Sequence, residues 1–189
     1  MFCNKNNTRL SWDDFDGLKE LVKSLVKERR YIHTLGVEEE ALKFAKIFEC
    51  DESMIKKLRS AAIFHDMTKE FSREKYLEVF ETYNINLSEG EKNAEWSYHA
   101  KTAAYIAKFE FGADDMIFGG IYNHTDKSDL MKSPTLFNKI ISLADAIEPN
   151  RDGEFVIRMR EHFYSEIEKA GTPEQKYKII DETVFDFAP

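Results

Sequence analysis

Cysteine is almost absent from this chain, which has only Cys3 and Cys50 in 189 residues. Their separation matches no CxxC or zinc-ribbon spacing, and so few thiols exclude a disulfide framework, which suits a reducing compartment. Apolar runs are short, and none approaches the roughly 20 residues that span a bilayer. Residues 1–10 are polar and lack the apolar stretch of a signal peptide; the expected address is the cytoplasm. A basic block is missing as well. Net charge is −8, from 27 basic and 35 acidic side chains, whereas a nucleic-acid binder needs a basic field to displace phosphate counterions. Neither nucleic acid nor membrane is therefore expected as a partner. Proline (4) and glycine (8) are scarce, and Val/Thr alternation is sparse, so little interrupts helices or builds a sheet.

What is present reads as helix after helix. Apolar residues make up 42% and charged residues 33%, a globular composition. The length suits one all-α domain over 1–189, with its core at about 27–151 and flanking helices at both ends. Ser11 with Asp14 three residues on resembles a capping box for a first helix carrying Trp12, Phe15, Leu18, Leu21 and Leu25. A second helix is expected over about 28–48. A third, capped by Asp51 or Ser53, ends near His65-Asp66, and Ser72 caps a fourth reaching about residue 83. The stretch 84–92 has the least periodicity and is expected as loop. A fifth helix begins near Trp96 with the small face Ala100, Ala103, Ala104 and Ala107, and a sixth covers about 114–122. Ser133-Pro134 starts a seventh that ends at Pro149, and two more follow over about 154–169 and 173–185.

Four of the five histidines, His33, His65, His99 and His124, fall on different helices, with Asp66 beside one and Asp145 late on the seventh. Helical bundles assemble metal sites this way, from facing helices that point inward. Imidazole and carboxylate donors suit Fe, Mn, Zn or Ni, and the lack of thiolates argues against structural zinc. One His-Asp dipeptide is weak evidence, since chance supplies roughly 0.3 in such a composition. One histidine alone is more often a core residue with a single hydrogen bond. Four of them in helical settings with two aspartates reverse that balance. His162, on a charged late helix, reads as surface.

The strings that carry this pattern are Arg30-Tyr31-Ile32-His33, Ala61-Ala62-Ile63-Phe64-His65-Asp66-Met67-Thr68-Lys69, Tyr98-His99-Ala100, Tyr122-Asn123-His124-Thr125 and Leu143-Ala144-Asp145-Ala146-Ile147-Glu148-Pro149-Asn150-Arg151. Together they resemble the HD-domain superfamily of metal-dependent phosphohydrolases. More narrowly, His-Asp-x-x-Lys with Ala-Asp-x-Ile-Glu-Pro-x-Arg resembles the YqeK family of symmetrical diadenosine tetraphosphate hydrolases. One departure is local: the family continues the fourth histidine as His-Thr-Thr-Gly, and this chain reads His124-Thr125-Asp126-Lys127.

The resemblance implies a helical HD bundle that hydrolyses diadenosine tetraphosphate to two ADP, with metal-activated water as nucleophile. It implies a first iron site of His33, His65, Asp66 and Asp145. His99 and His124 either bind a second ion bridged by Asp66 or contact phosphate oxygens. The cofactor is then one or two iron ions, with manganese, magnesium or another divalent metal as substitutes. Asp66 and Lys69 carry catalysis. Lys69, Arg30 and Arg151 supply positive charge to the substrate phosphates, with Thr125 as a further hydroxyl, and Glu148 is expected to orient one of the arginines. A nucleotide is the expected partner, and a homodimer is implied at the family level. Two other readings stand beside this one: a generic HD hydrolase of nucleoside mono- or triphosphates, motivated by the altered loop, and a nucleotide-sensing module without turnover.

Overall fold

Helix starts follow from side chains able to accept from backbone N–H groups that lack an intrahelical partner. In the structure, a computed structural model, residues 10–132 and 134–187 are described. Asp14 caps α1 (Phe15–Leu25), Asp51 caps α3 (Glu52–Phe64), Ser72 caps α4 (Arg73–Thr82) and Asp114 caps α7 (Asp115–Asn123). Thr135 caps α9 (Leu136–Ile147). Thr172 and Gln175 form a capping box on α11 (Pro173–Asp181), with proline at the first helical position. Between these lie α2 (Glu28–Ile47), α5 (Glu89–Lys92), α6 (Tyr98–Phe111), α8 (Lys127–Lys132) and α10 (Glu154–Lys169). A single 3-10 turn, Glu95–Ser97, leads into α6, and no strand occurs among the described residues.

Several boundaries differ from the sequence expectation. The first helix is capped by Asp14 itself, while Ser11 bonds Asp13. The stretch expected as loop contains α5, where Ser88 and Glu91 close a capping box. Thr135 takes the role expected of Ser133-Pro134; Ser133 lies outside the described residues, as do residues 1–9, the greater part of the polar start. The last helix yields to a wider π-turn over Glu182–Asp186. α6 stops at Gly112, whose φ of 74° is the left-handed conformation that glycine adopts without a Cβ penalty.

α3 and α9 occupy the middle of the bundle. α3 packs against α1, α2, α7 and α9, and α9 packs against α2, α3, α7, α10 and α11. Surrounded in this way, Ala61, Ala62, Ile63 and Phe64 are all fully buried, and the two alanines let neighbouring helices approach. Phe44 of α2 meets Phe163 of α10 edge to face at 5.0 Å. Burying an aromatic side chain of this kind is worth about 2–3 kcal/mol, which fixes α10 beside α2 and the end of α9. The outcome for the site is that α2, α3, α6, α7 and α9 each deliver one residue or pair to the same interior point.

Candidate metal centre and phosphate cleft

Three of the histidines sit at helix ends and are oriented by their own local backbone. His65 follows α3 and its Nδ1 lies 2.6 Å from the Ala62 carbonyl. His124 follows α7 with Nδ1 2.6 Å from the Ile121 carbonyl, and His99, in the first turn of α6, has Nδ1 2.9 Å from the Trp96 carbonyl. A carbonyl only accepts, so each Nδ1 carries the proton and each Nε2 is left as a lone pair. His33, inside α2, is oriented differently: its Nδ1 lies 3.1 Å from Glu148 Oε1, 115 positions along the chain.

All four Nε2 atoms point at the two aspartates. His33 Nε2 and His65 Nε2 are 3.3 Å apart, with Asp145 Oδ1 at 3.0 and 3.8 Å and Asp66 Oδ2 at 3.7 and 3.5 Å. On the other side, His99 Nε2 and His124 Nε2 are 3.3 Å apart, at 3.1 and 3.8 Å from Asp66 Oδ1. The structure thus brings His33, His65, Asp66, His99, His124 and Asp145 into one cluster with interlocking triads close enough to hold an ion. Asp66 is shared by both halves.

The donor set fits a divalent cation. Imidazole lone pairs and carboxylate oxygens this close repel one another unless positive charge lies between them. Asp66 Oδ1 is buried and has no well-formed hydrogen bond, an orphan acceptor of the kind a cation satisfies. Protonation tells the same story. Burial drives the His65 pKa down to about 3 and lowers that of His99 as well, which keeps both rings neutral. For His33 burial works in the same direction, but the hydrogen bonds to Asp145 and Glu148 outweigh it and leave the pKa raised. Burial would raise the carboxyls of Asp66 and Asp145; the facing imidazoles hold both well below the usual carboxylate range. Asp145, on the Nε2 side of His33, brings negative charge that also suits a cation.

The cluster opens into a cleft of about 970 Å³ whose walls include Arg30, His33, Asp66, Lys69, Asp145 and Arg151. Arg30 Nη1 reaches Asp66 Oδ2 at 2.6 Å, and Arg151 Nη2 reaches Asp145 Oδ1 at 2.7 Å. Lys69 Nζ is 2.9 Å from His99 Nε2 and 3.8 Å from Asp66 Oδ1, and burial lowers its pKa. Thr125 Oγ1 lies 3.0 Å from His124 Nε2. Each candidate ligand and phosphate contact named from the sequence is therefore at this cluster or on its rim. Tyr122 is not: its hydroxyl donates to Glu91 and its ring lies under Lys101. His162 is exposed, against Phe187.

Glu148 departs from expectation. Among the described residues its carboxylate orients no arginine; one oxygen faces His33 Nδ1 and the other accepts from Asn150 N and Nδ2 at 2.7 and 3.0 Å. Such an outer carboxylate fixes the tautomer and aim of an imidazole ligand. Thr68 was also missed. Its hydroxyl contacts the His99 carbonyl and Thr102 Oγ1, both at 2.8 Å, and so ties the His-Asp turn to the start of α6. The signal was its place within the motif, one residue before Lys69.

Comparison with known proteins agrees with this arrangement. Residues 30–150 match the HD domain family model. The chain is 37% identical over 131 residues to a symmetrical bis(5'-nucleosyl)-tetraphosphatase of Bacillus subtilis (strain 168), covering 69% of this chain and 67% of that protein. It is 34% identical over 142 residues to the protein of that name from Halalkalibacterium halodurans, covering 75% and 72%. Among solved structures, a Clostridium acetobutylicum protein described as a "predicted HD superfamily hydrolase involved in NAD metabolism" superposes with a TM-score of 0.70 at 26% identity, covering 92% of this chain and 91% of that one. With its histidines and aspartates gathered at one point and the family pattern running through α2 to the end of α9, the chain belongs to the HD domain family.

Proposed function

We propose that this protein is a metal-dependent hydrolase that cleaves diadenosine tetraphosphate symmetrically into two ADP. The observation that carries the reading is the joining, in one cleft, of the His/Asp cluster with Arg30, Lys69 and Arg151, in a chain similar to symmetrical tetraphosphatases. The ion we propose is iron, one or two per chain, with manganese, magnesium or another divalent metal as substitutes; nitrogen and oxygen donors without thiolate suit this choice. His33, His65, Asp66 and Asp145 would hold the first ion, and His99 and His124 either a second or the substrate phosphates. When bound, the ion supplies a Lewis acid and acidifies water towards a pKa of about 7.

The chain's own residues supply the rest. Asp66, shared by both halves of the cluster, sets their spacing. Lys69 presents a largely enclosed ammonium toward the cluster, where reduced solvent strengthens its attraction for phosphate. Arg30 and Arg151 flank the cluster as forked donors that match phosphate oxygens. Water adds to one of the two inner phosphorus atoms, and the bond from that phosphorus to the central bridging oxygen breaks. The water oxygen stays on one ADP and its protons are released, and the other ADP departs with charge that Lys69 and the arginines offset.

Product analysis tests the reading. Purified protein supplied with Fe(II) or Mn(II) should convert diadenosine tetraphosphate to ADP alone. Release of AMP plus ATP, or faster turnover of nucleoside mono- or triphosphates, would refute it. Tight ADP binding with no turnover under any metal would point instead to a sensing module.

A further inference from the structure

We propose that Arg160, which lies outside the cleft, is a positioning residue that aims both His33 and Arg151 by holding the turn between α9 and α10. Its guanidinium bonds three carbonyls of that turn. Nε donates to the Ile147 carbonyl at 2.6 Å, and Nη2 donates to the Glu148 and Arg151 carbonyls at 2.5 and 2.8 Å. Among the described residues it forms no ion pair, and it does not line the cleft.

The three acceptors explain why an arginine is needed there. The last carbonyls of a helix have no intrahelical donor, and Pro149 brings no N–H to satisfy one. A cation at that point also meets the negative end of the α9 dipole. A planar fork can serve several carbonyls at once, which a lysine ammonium on a flexible stem cannot reproduce. The turn so held carries Glu148, whose carboxylate faces His33 Nδ1, and Arg151, whose guanidinium reaches Asp145. Arg160 itself sits on α10, beside Phe163 and Tyr164, whose rings pack against Phe44 of α2. It therefore ties the turn to the helix that also bears His33. A displaced turn would let Glu148 retreat from His33 and Arg151 from Asp145, with no cleft residue changed.

This inference rests on the reading of His33 as a metal ligand, so the experiment measures that reading separately. Mn(II) binding to the full chain is followed by titration calorimetry, with melting temperature and kcat and KM for diadenosine tetraphosphate measured alongside. The variants are Arg160→Ala, Arg160→Lys, Glu148→Gln and the Arg160→Lys/Glu148→Gln pair. Arg160→Lys keeps the charge and covers the case in which Arg160→Ala fails to fold. The expected result is a folded Arg160→Lys protein with Mn(II) affinity reduced about tenfold, the scale of lost outer-carboxylate support. KM should rise as Arg151 shifts, and the double variant should bind Mn(II) no more weakly than Glu148→Gln alone, because both changes act through one contact. A lower melting temperature with wild-type Mn(II) affinity and KM would overturn the inference alone, as would additive losses in the double variant. Absence of Mn(II) binding by the wild type would overturn the metal reading together with it.

Discussion

Gly36 offers a perturbation whose effects on stability and on the centre should separate. It lies inside α2, where glycine is about 1 kcal/mol less favourable than alanine, so Gly36→Ala should strengthen the helix taken alone. A methyl group there collides, however, with the Glu148 carboxylate and the Asn150 side-chain amide. Both are side-chain ends that can move aside, so the fold survives while Glu148 leaves its place. What is lost is the set of contacts Glu148 makes with His33 Nδ1 and with Asn150. Leaving such buried groups unmade costs about 1–3 kcal/mol, against the gain of about 1 kcal/mol in the helix. The net loss is about 0–2 kcal/mol, a drop of a few degrees in melting temperature for a chain of this size. The centre should suffer far more. With His33 no longer held in its tautomer, metal affinity should fall about 10- to 100-fold, and kcat/KM at limiting metal with it. Mn(II) titration and thermal melting of the same samples measure both. Gly90→Ala is the control, since a Cβ there meets nothing within 4 Å. Wild-type Mn(II) affinity in Gly36→Ala, or a loss no larger than the unfolded fraction explains, would refute the reasoning.

Lys69→Met should lower kcat/KM about 100- to 1,000-fold, the scale of removing one preorganised charge donor, with melting within a few degrees of wild type; turnover within a few-fold of normal would remove Lys69 from the chemistry. Chelation should lower the melting temperature, because an ion held at 100 times its Kd contributes about 2.7 kcal/mol, and an unchanged melt in chelator would argue against a bound ion. Burial would raise the Glu91 pKa, but Lys101, Ser88 and Tyr122 hold it down at about 2. Its folded pKa lies below the unfolded value, so its stabilisation is complete above about pH 4.5 and is lost as pH falls toward 2. For this half-exposed carboxylate we expect about 1 kcal/mol after solvent screening. Glu91→Gln should therefore be less stable than wild type at pH 7 and converge with it near pH 2; parallel acid-unfolding curves would contradict this.

The helices and the metal-type donors were legible because both are written locally. Asp51, Ser72, Asp114 and Thr172 announce helix starts by residue type, and His65-Asp66, His99 and His124 fall at helix ends. α5 was legible in principle, since Ser88 and Glu91 have capping-box spacing, but four residues carry too little periodicity to stand out. The partner of His33 was not legible. Glu148 and His33 are 115 positions apart, and only the packing of α9 on α2 makes them neighbours. Lys101 was hidden for the same reason. A lysine 1% exposed is unexpected from composition, and the approach of Glu91 at 2.7 Å and of the Tyr122 ring helps to make it tolerable.

Three of the four imidazoles take their bearing from a carbonyl three residues back in their own segment. Once those turns wind, their rings are aimed, whatever the remainder of the chain is doing. His33 alone waits for a group from the far end of the sequence, so gentle loosening of the bundle should release one ligand long before the others. An ion leaving the protein would then have a preferred exit, on the α2 side where the cleft already opens.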